Sequence, residues 1–202
     1  MDIHFMAYQA TARTEARKVD TQQMLLRSGH RIVARGGFSA LSMARIAQQA
    51  GMATGNLYRY FTDKATLSVA LFERASTHEM HAVFECVNHR AAPIVQLEML
   101  LTAFLQRAHA NPQLAYSLVA EPVDPAVEQA RNEHRRRWAT RFQAVIEDGI
   151  EQRQFAPQPA ALAATALVGA MAEPLAVPPS YASFCASDIA PLVQFCLRAL
   201  SA

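Results

Sequence analysis

The chain has 202 residues, 51% of them hydrophobic, and carries a formal net charge of +2 at pH 7. This is apolar material enough for a small domain and a larger helical one. It excludes a protein that is basic throughout, and the longest apolar stretches, such as 160–171, are too short and alanine-rich to span a bilayer. Cys86, Cys185 and Cys196 are scattered, odd in number and without metal-type spacing. Reduced thiols and a cytoplasmic location are therefore expected, and no lysine- or arginine-led secretory segment opens the chain. The charge is unevenly placed. Residues 1–64 hold nine Lys/Arg against four Asp/Glu, a net of +5, whereas 65–202 hold ten against thirteen, a net of −3. A basic first third on a mildly acidic body fits a phosphate-facing module on a different scaffold, although an excess of this size also arises by ordinary scatter.

Residues 1–15 show no periodicity and are expected to form a mobile arm. Its Arg13, together with Arg17 and Lys18 just beyond it, can serve DNA phosphates or the minor groove, or the tail is simply disordered. Over 14–35 the pattern is helical, with Met24, Leu25, Ile32 and Val33 on a broken apolar face, and Gly36-Gly37 stops it. Gly29 inside this helix costs on the order of 1 kcal/mol relative to alanine and softens it.

Residues 42–67, SMARIAQQAGMATGNLYRYFTDKATL, carry the functional signal. They read as two short helices joined by a tight turn, followed by a long helix starting at Asp63 or Lys64. Met43, Ile46, Ala47 and Ala50 recur at helical spacing behind Ser42, a good N-cap. Ala47 is small enough for a close helix crossing, Gly51 tolerates a left-handed backbone, and Leu57 anchors the second helix. Thr54, Asn56 and Arg59 then point outward, and Gly55 allows close approach of another backbone. A surface both pinned and polar suits a major-groove reader, while the bland alternative is an αα-hairpin whose polar face is merely solvated.

The long helix is expected to run to about His89. Its core stripe holds Val69, Phe72, Ser76, Met80, Val83 and Val87, and His78, His81, Glu85 and His89 share the opposite face. Such a set can converge on a metal, but a solvated face is the simpler account, and no metal site is assigned. Pro93 opens the next helix through Ile94, Leu97, Leu100, Leu101, Phe104 and Leu105. Asn111-Pro112 and Asp124-Pro125 each read as an N-cap followed by a first-turn proline, starting a short helix to about Ala120 and a long one to about Gln154. Arg135-Arg136-Arg137 reads as a solvated or ion-paired face, with Glu128 and Glu133 at helical spacing, rather than as a second nucleic-acid patch. Residues 160–173 form a helix rich in small side chains, and a last helix follows from about Ser187. These last two are candidates for a partner-facing pair. The class is all-α with about nine helices. No phosphate loop, nucleophile elbow or HExxH-type motif is present, so no catalytic residue, enzyme activity or cofactor is assigned.

GNLYRYF followed by TDKATL resembles the recognition helix and following helix of the TetR (tetracycline-repressor-like) family of transcriptional regulators. The resemblance is specific over residues 25–72, including the Gly37-Phe38 pair, and looser beyond. It departs at Ser28-Gly29, where two alanines are typical. The resemblance implies a helix-turn-helix DNA-binding domain over 16–75, with the unit itself at 42–61, and an effector-binding and dimerisation domain over 76–202. It also implies a homodimer built from the last two helices, binding a pseudo-palindromic operator in double-stranded DNA and responding to a small-molecule effector, with no membrane partner. Matched residue by residue, Ser42, Tyr58, Tyr60 and Lys64 meet phosphates and Thr54, Gly55 and Asn56 lie nearest base edges. Arg59 serves guanine or phosphate, and Leu57 and Phe61 stay in the core. The candidate pocket residues are Leu97, Leu101, Phe104, Leu118, Trp138 and Phe142, suited to an apolar or amphipathic molecule whose identity stays open. The expected function is a repressor released by that effector. A metal-responsive regulator of the same fold and a helical protein-binding module are the alternatives.

Overall fold

The computed structural model describes residues 3–181 and 184–201, with side chains from Arg13 onward. Among them are nine α-helices and no strand. Helix α1 (Ile3–Gly36) is the longest, followed by α2 (Met43–Gln49), α3 (Thr54–Leu57) and α4 (Lys64–Phe84). Then come α5 (Pro93–Ala110), α6 (Pro112–Val119), α7 (Pro125–Glu151), α8 (Ala160–Ala172) and α9 (Ala186–Arg198), with a 3-10 turn, Glu173–Leu175, after α8.

The prolines start their helices as expected: Pro93, Pro112 and Pro125 each stand in a first turn, where a missing N–H costs nothing. Asp124 caps α7 by accepting from the Ala126 N–H at 2.9 Å. Asn111 occupies the cap position of α6, but its side chain makes no capping bond.

Three boundaries differ from the sequence reading. The expected arm over 1–15 is helical from Ile3 onward, and residues 1 and 2 lie outside the described ones. Gln9, Ala10, Ala12, Arg13 and Ala16 are strong helix formers, and extending a helix already nucleated is far less costly than starting one, so no buried face is needed. Helix α4 ends at Phe84, short of His89. The Cys86 and Val87 N–H groups reach only to Val83 and Phe84, tightening the last turn, and the Asn88 side chain accepts from Arg90 N–H in a turn of its own. His89 therefore leaves the histidine stripe. Helix α7 stops at Glu151, where Arg153 takes φ +57 and the Gln154 and Phe155 N–H groups both return to the Gly149 carbonyl.

Two apolar clusters organise the helices. The first gathers Leu25, Val33, Phe38, Ile46, Leu57, Phe61, Leu67 and Phe72 from α1 to α4, and is completed by Leu114 of α6 and Val127 of α7. The second holds Met80, Val83, Leu97, Leu101, Trp138, Phe142, Leu167 and Val193, from α4, α5 and α7 to α9. Helix α4, about 30 Å long at 1.5 Å per residue, belongs to both. Gly29 also serves packing, since a Cβ there would stand 2.6 Å from Leu71 Cδ1 of α4.

Candidate DNA-binding face and effector cavity

Ser42 opens the reading unit, its hydroxyl accepting from the Arg45 N–H at 3.2 Å to cap α2. At the other end Gly51 adopts φ +69, while the Met52 N–H donates to Ala47 and the Gly51 N–H to Gln48. That bond pair turns a chain out of a helix through a left-handed residue, and only glycine takes it without a steric penalty. Leu57 and Phe61 are then buried, which fixes α3. Regular helix stops at Leu57, but the Tyr60 and Phe61 N–H groups still donate to its carbonyl and carry the turn onward. Thr54, Gly55, Asn56, Tyr58 and Arg59 are exposed and Tyr60 is half-buried. A Cβ on Gly55 would meet nothing within 4 Å, so the space over it is open to a partner. Lys64 stands exposed in the first turn of α4, behind Asp63, whose carboxylate caps the helix through the Thr66 N–H at 2.7 Å. That hydrogen bond holds the Asp63 carboxyl below its ordinary range. Arg59 and Lys64 join none of the ion pairs among the described residues, which leaves their charge to face outward.

Behind this face a buried carboxylate ties the reading unit to the rest of the chain. Glu121, in the loop between α6 and α7, accepts from the Phe38 N–H at 2.8 Å and the Ser39 N–H at 2.9 Å. Gly37 makes room for it: the residue adopts φ +74, and a Cβ would fall against the Glu121 carboxylate. Arg131 of α7, itself buried, holds the same loop from the other side. Its guanidinium donates to the Glu121 carbonyl at 2.7 Å, to Leu118 at 3.1 Å and to Ser117 at 3.3 Å, and pairs with Glu128. The end of α6 thus hangs on Arg131 and delivers Glu121 to the turn before α2.

Next to that end lies a cavity of about 80 Å³ between α4, α5, α6, α7 and α8. Phe72, Ser76, Phe104, Leu118, Val119, Arg131, His134, Trp138, Val168 and Met171 line it, with Glu79, Arg135 and Ala172 at its edge. The rings stand edge to face: His134 lies 6.1 Å from Phe72 and 6.4 Å from Trp138, and Phe104 lies 5.3 Å from Trp138. A hollow of about 60 Å³ adjoins it, sharing Glu79, Phe104, Leu118 and Val119.

Residues 25–71 match the family model described as bacterial regulatory proteins, tetR family, and residues 90–174 match that of the tetracyclin repressor-like C-terminal domain. The chain belongs to the TetR family. It is similar to the HTH-type transcriptional repressor NemR of Escherichia coli K12, 26% identical over 110 residues, which are 52% of this chain and 55% of NemR. The match thus spans about half the length of that relative. Among solved structures, a TetR-family transcription regulator from Shewanella sp. PV-4 superposes with a TM-score of 0.69 at 22% identity, covering 90% of this chain and 98% of that one. The fatty acid degradation regulator FadR from Bacillus halodurans superposes at 0.73 with 18% identity, covering 87% and 94%. These two likenesses establish the fold.

In this TetR-family chain Thr54, Gly55, Asn56, Tyr58, Arg59 and Lys64, all expected at DNA, are exposed, and Ser42 and Tyr60 are partly so. Of the six expected pocket residues, Phe104, Leu118 and Trp138 line the cavity, whereas Leu97, Leu101 and Phe142 are fully buried in the solid core beside it. Sequence reasoning missed Glu121, Arg131, Ser76 and His134 as working residues. The signal was there for two of them, since Arg131 and His134 interrupt the otherwise apolar stripe Val127, Arg131, His134, Trp138, Phe142 of α7. In the Arg135–Arg137 run Arg136 and Arg137 are ion-paired, through Glu133 and Glu73 of α4, while exposed Arg135 donates to the Val119 carbonyl and Glu128 is taken by Arg131. Among the described residues no three His, Cys, Asp or Glu side chains converge for a metal, and no helix is long and apolar enough to cross a membrane.

Burial pushes the His134 imidazole below its ordinary value near 6.5, against an opposing pull from Glu73, and burial acts likewise on His30. Each stays neutral in the folded chain at pH values where the unfolded chain takes up a proton. Stability should therefore fall as pH drops below about 6.5, by up to about 1.4 kcal/mol per pH unit per group, until the folded values are reached. Urea denaturation across that range is expected to show the decline, and His134→Gln to flatten part of it. An unchanged slope in the variant would mean that His134 does not contribute.

Proposed function

We propose that the protein is a transcriptional regulator, not an enzyme, acting in the cytoplasm. As a homodimer it binds a pseudo-palindromic operator in double-stranded DNA, and a small apolar or amphipathic molecule releases it. The observation that carries this is the continuity of α4, whose first residue, Lys64, lies on the outward face while Ser76 and Glu79 line the cavity. A ligand that prefers a conformer with α4 displaced lowers DNA affinity by the ratio of its affinities for the two states. Repression rather than activation draws support from NemR, a transcriptional repressor that this chain matches over about half its length. One short α3 reads only a few base pairs, so two half-sites are needed, and α8 and α9 leave Leu162 and Phe195 more than half exposed for a second copy.

Thr54, Gly55 and Asn56 meet base edges. Ser42, Tyr58, Tyr60 and Lys64 meet phosphates, and Arg59 adds a donor fork for guanine. Selection from random duplexes should recover an inverted-repeat site, and the absence of any preferred sequence would overturn the proposal. Arg59→Ala is expected to relax base preference at one position of each half-site, by about 1–3 kcal/mol, whereas Lys64→Ala should weaken all sequences alike and lower the salt slope by about one unit. A protein-binding module would show neither the preference nor the steep salt dependence.

A further inference from the structure

We propose that the cavity takes an uncharged aromatic molecule bearing a hydroxyl group, a phenol in its simplest form, with the hydroxyl seated between Ser76 and His134. This rests on the reading of the cavity as the effector site and names the chemistry of what fills it.

Two polar atoms of the lining, Ser76 Oγ and His134 Nδ1, are buried without a hydrogen-bond partner. The residues are 3% and 7% exposed. Such atoms are costly to leave unmatched, and in a native fold they call for an explanation. The ordinary remedy is local: a serine or threonine inside a helix donates to the carbonyl four residues back. Ser117, Thr140 and Thr165 do so here, at 2.8, 3.1 and 2.9 Å. Ser76 does not, so its hydroxyl is free to meet another group. Burial lowers the His134 pKa and so favours the neutral ring, in which Nδ1 is either a lone pair or an N–H. A ligand hydroxyl both donates and accepts and therefore matches Ser76 and either form of His134. A carbonyl or an ether does not match the lone-pair form.

Charge is provided for without a ligand. The Arg131 guanidinium is spent on three carbonyls and Glu128, Glu79 is paired with Arg107 at 2.7 Å, and Arg135 is exposed to solvent. A carboxylate entering the cavity would find no unspent buried cation, and its desolvation would go uncompensated. The rest of the wall is apolar: Phe72, Phe104 and Trp138, whose edge-to-face contacts are of the kind that receives one more ring, and the aliphatic Leu118, Val119, Val168 and Met171. About 80 Å³ is less than the roughly 150 Å³ that houses a benzene. The adjoining hollow of about 60 Å³ supplies most of the difference, and displacement of Phe104, Leu118 and Val119, which separate the two, supplies the remainder. Two of those side chains end α6 just before Glu121, so filling the cavity pushes on the tie to the reading unit.

Trp138 is the single tryptophan of the chain and lines the cavity, so its fluorescence reports occupancy directly. Full-length protein without DNA is titrated with phenol, toluene, cyclohexanol and benzoate, each to its solubility limit. Phenol is expected to bind about tenfold or more tighter than toluene, the worth of one or two hydrogen bonds, and also tighter than cyclohexanol, which keeps the hydroxyl but lacks the ring, and than benzoate, whose charge finds no partner. Ser76→Ala should remove most of that advantage over toluene while leaving toluene unchanged, and His134→Leu gives a second variant should the first fail to fold. Toluene binding as well as phenol, cyclohexanol matching it, benzoate exceeding it, or fluorescence that none of the four moves would each overturn the proposal. No DNA enters the titration, so its failure leaves the regulator reading standing and is told apart from failure of the duplex selection, which removes the effector role of the cavity but not its ligand preference.

Discussion

Glu121→Ala is expected to lower stability by about 2–4 kcal/mol, because it removes a buried carboxylate that accepts two backbone N–H groups, each such charged bond contributing about 1.5–3 kcal/mol. The upper end of a simple sum is not reached, since Ser39 N–H lies only partly buried and water can replace part of what it loses. Glu121→Gln keeps the shape and a neutral acceptor, so it should fall between the wild type and alanine. Gly37→Ala attacks the same tie from the other side, combining a left-handed φ of +74 with a Cβ driven into the carboxylate. A loss of about 2–3 kcal/mol is expected from it. The double variant should cost clearly less than the two singles combined, because removing the carboxylate relieves the clash. Urea denaturation of the four proteins measures this, and simple additivity would show that residues 37 and 121 do not meet as described.

Leu162→Glu together with Phe195→Glu is expected to convert the proposed dimer to a monomer and lower operator affinity by about a hundredfold or more, the usual return from linking two half-site contacts. The two side chains are 68% and 56% exposed, one on α8 and one on α9, and large apolar side chains left this open are candidates for cover by a second copy. Around them Ala161, Thr165, Ala166 and Gly169 keep α8 slim, which allows a second pair of helices to come close. Sedimentation and operator titration on the same sample test this, with Val19→Glu on α1, equally exposed, as the control that should stay dimeric. A dimer that survives the double substitution would place the interface elsewhere.

The parts of the fold that were legible in the sequence are those whose signal is a single residue in a demanding backbone state. Pro93, Pro112 and Pro125 mark helix starts because a proline fits a first turn and little else, and Gly51 marks the turn because φ +69 excludes most residues. The ends of α4 and α7 were less legible. They depend on short-range closures, the Asn88 turn after α4 and Phe155 folding over Gly149 after α7, that no single demanding residue announces. Helical periodicity also tells which side chains point inward, but not where the inward side chains fail to fill space. Leu97, Leu101 and Phe142 therefore could not be told from Phe104, Leu118 and Trp138. Ser76 was visible in its stripe, but only the surrounding packing reveals that its hydroxyl is left without a partner.

Leu114 and Val127 close the first apolar cluster from α6 and α7, far along the chain from the helices they cover. A fragment ending at residue 75 would lose these two members of its core and the carboxylate that fastens its turn. The reading head is consequently not a portable part: cut out or grafted to another body, it would melt. Unfolding of the whole chain should follow a single cooperative transition, in which neither half outlives the other.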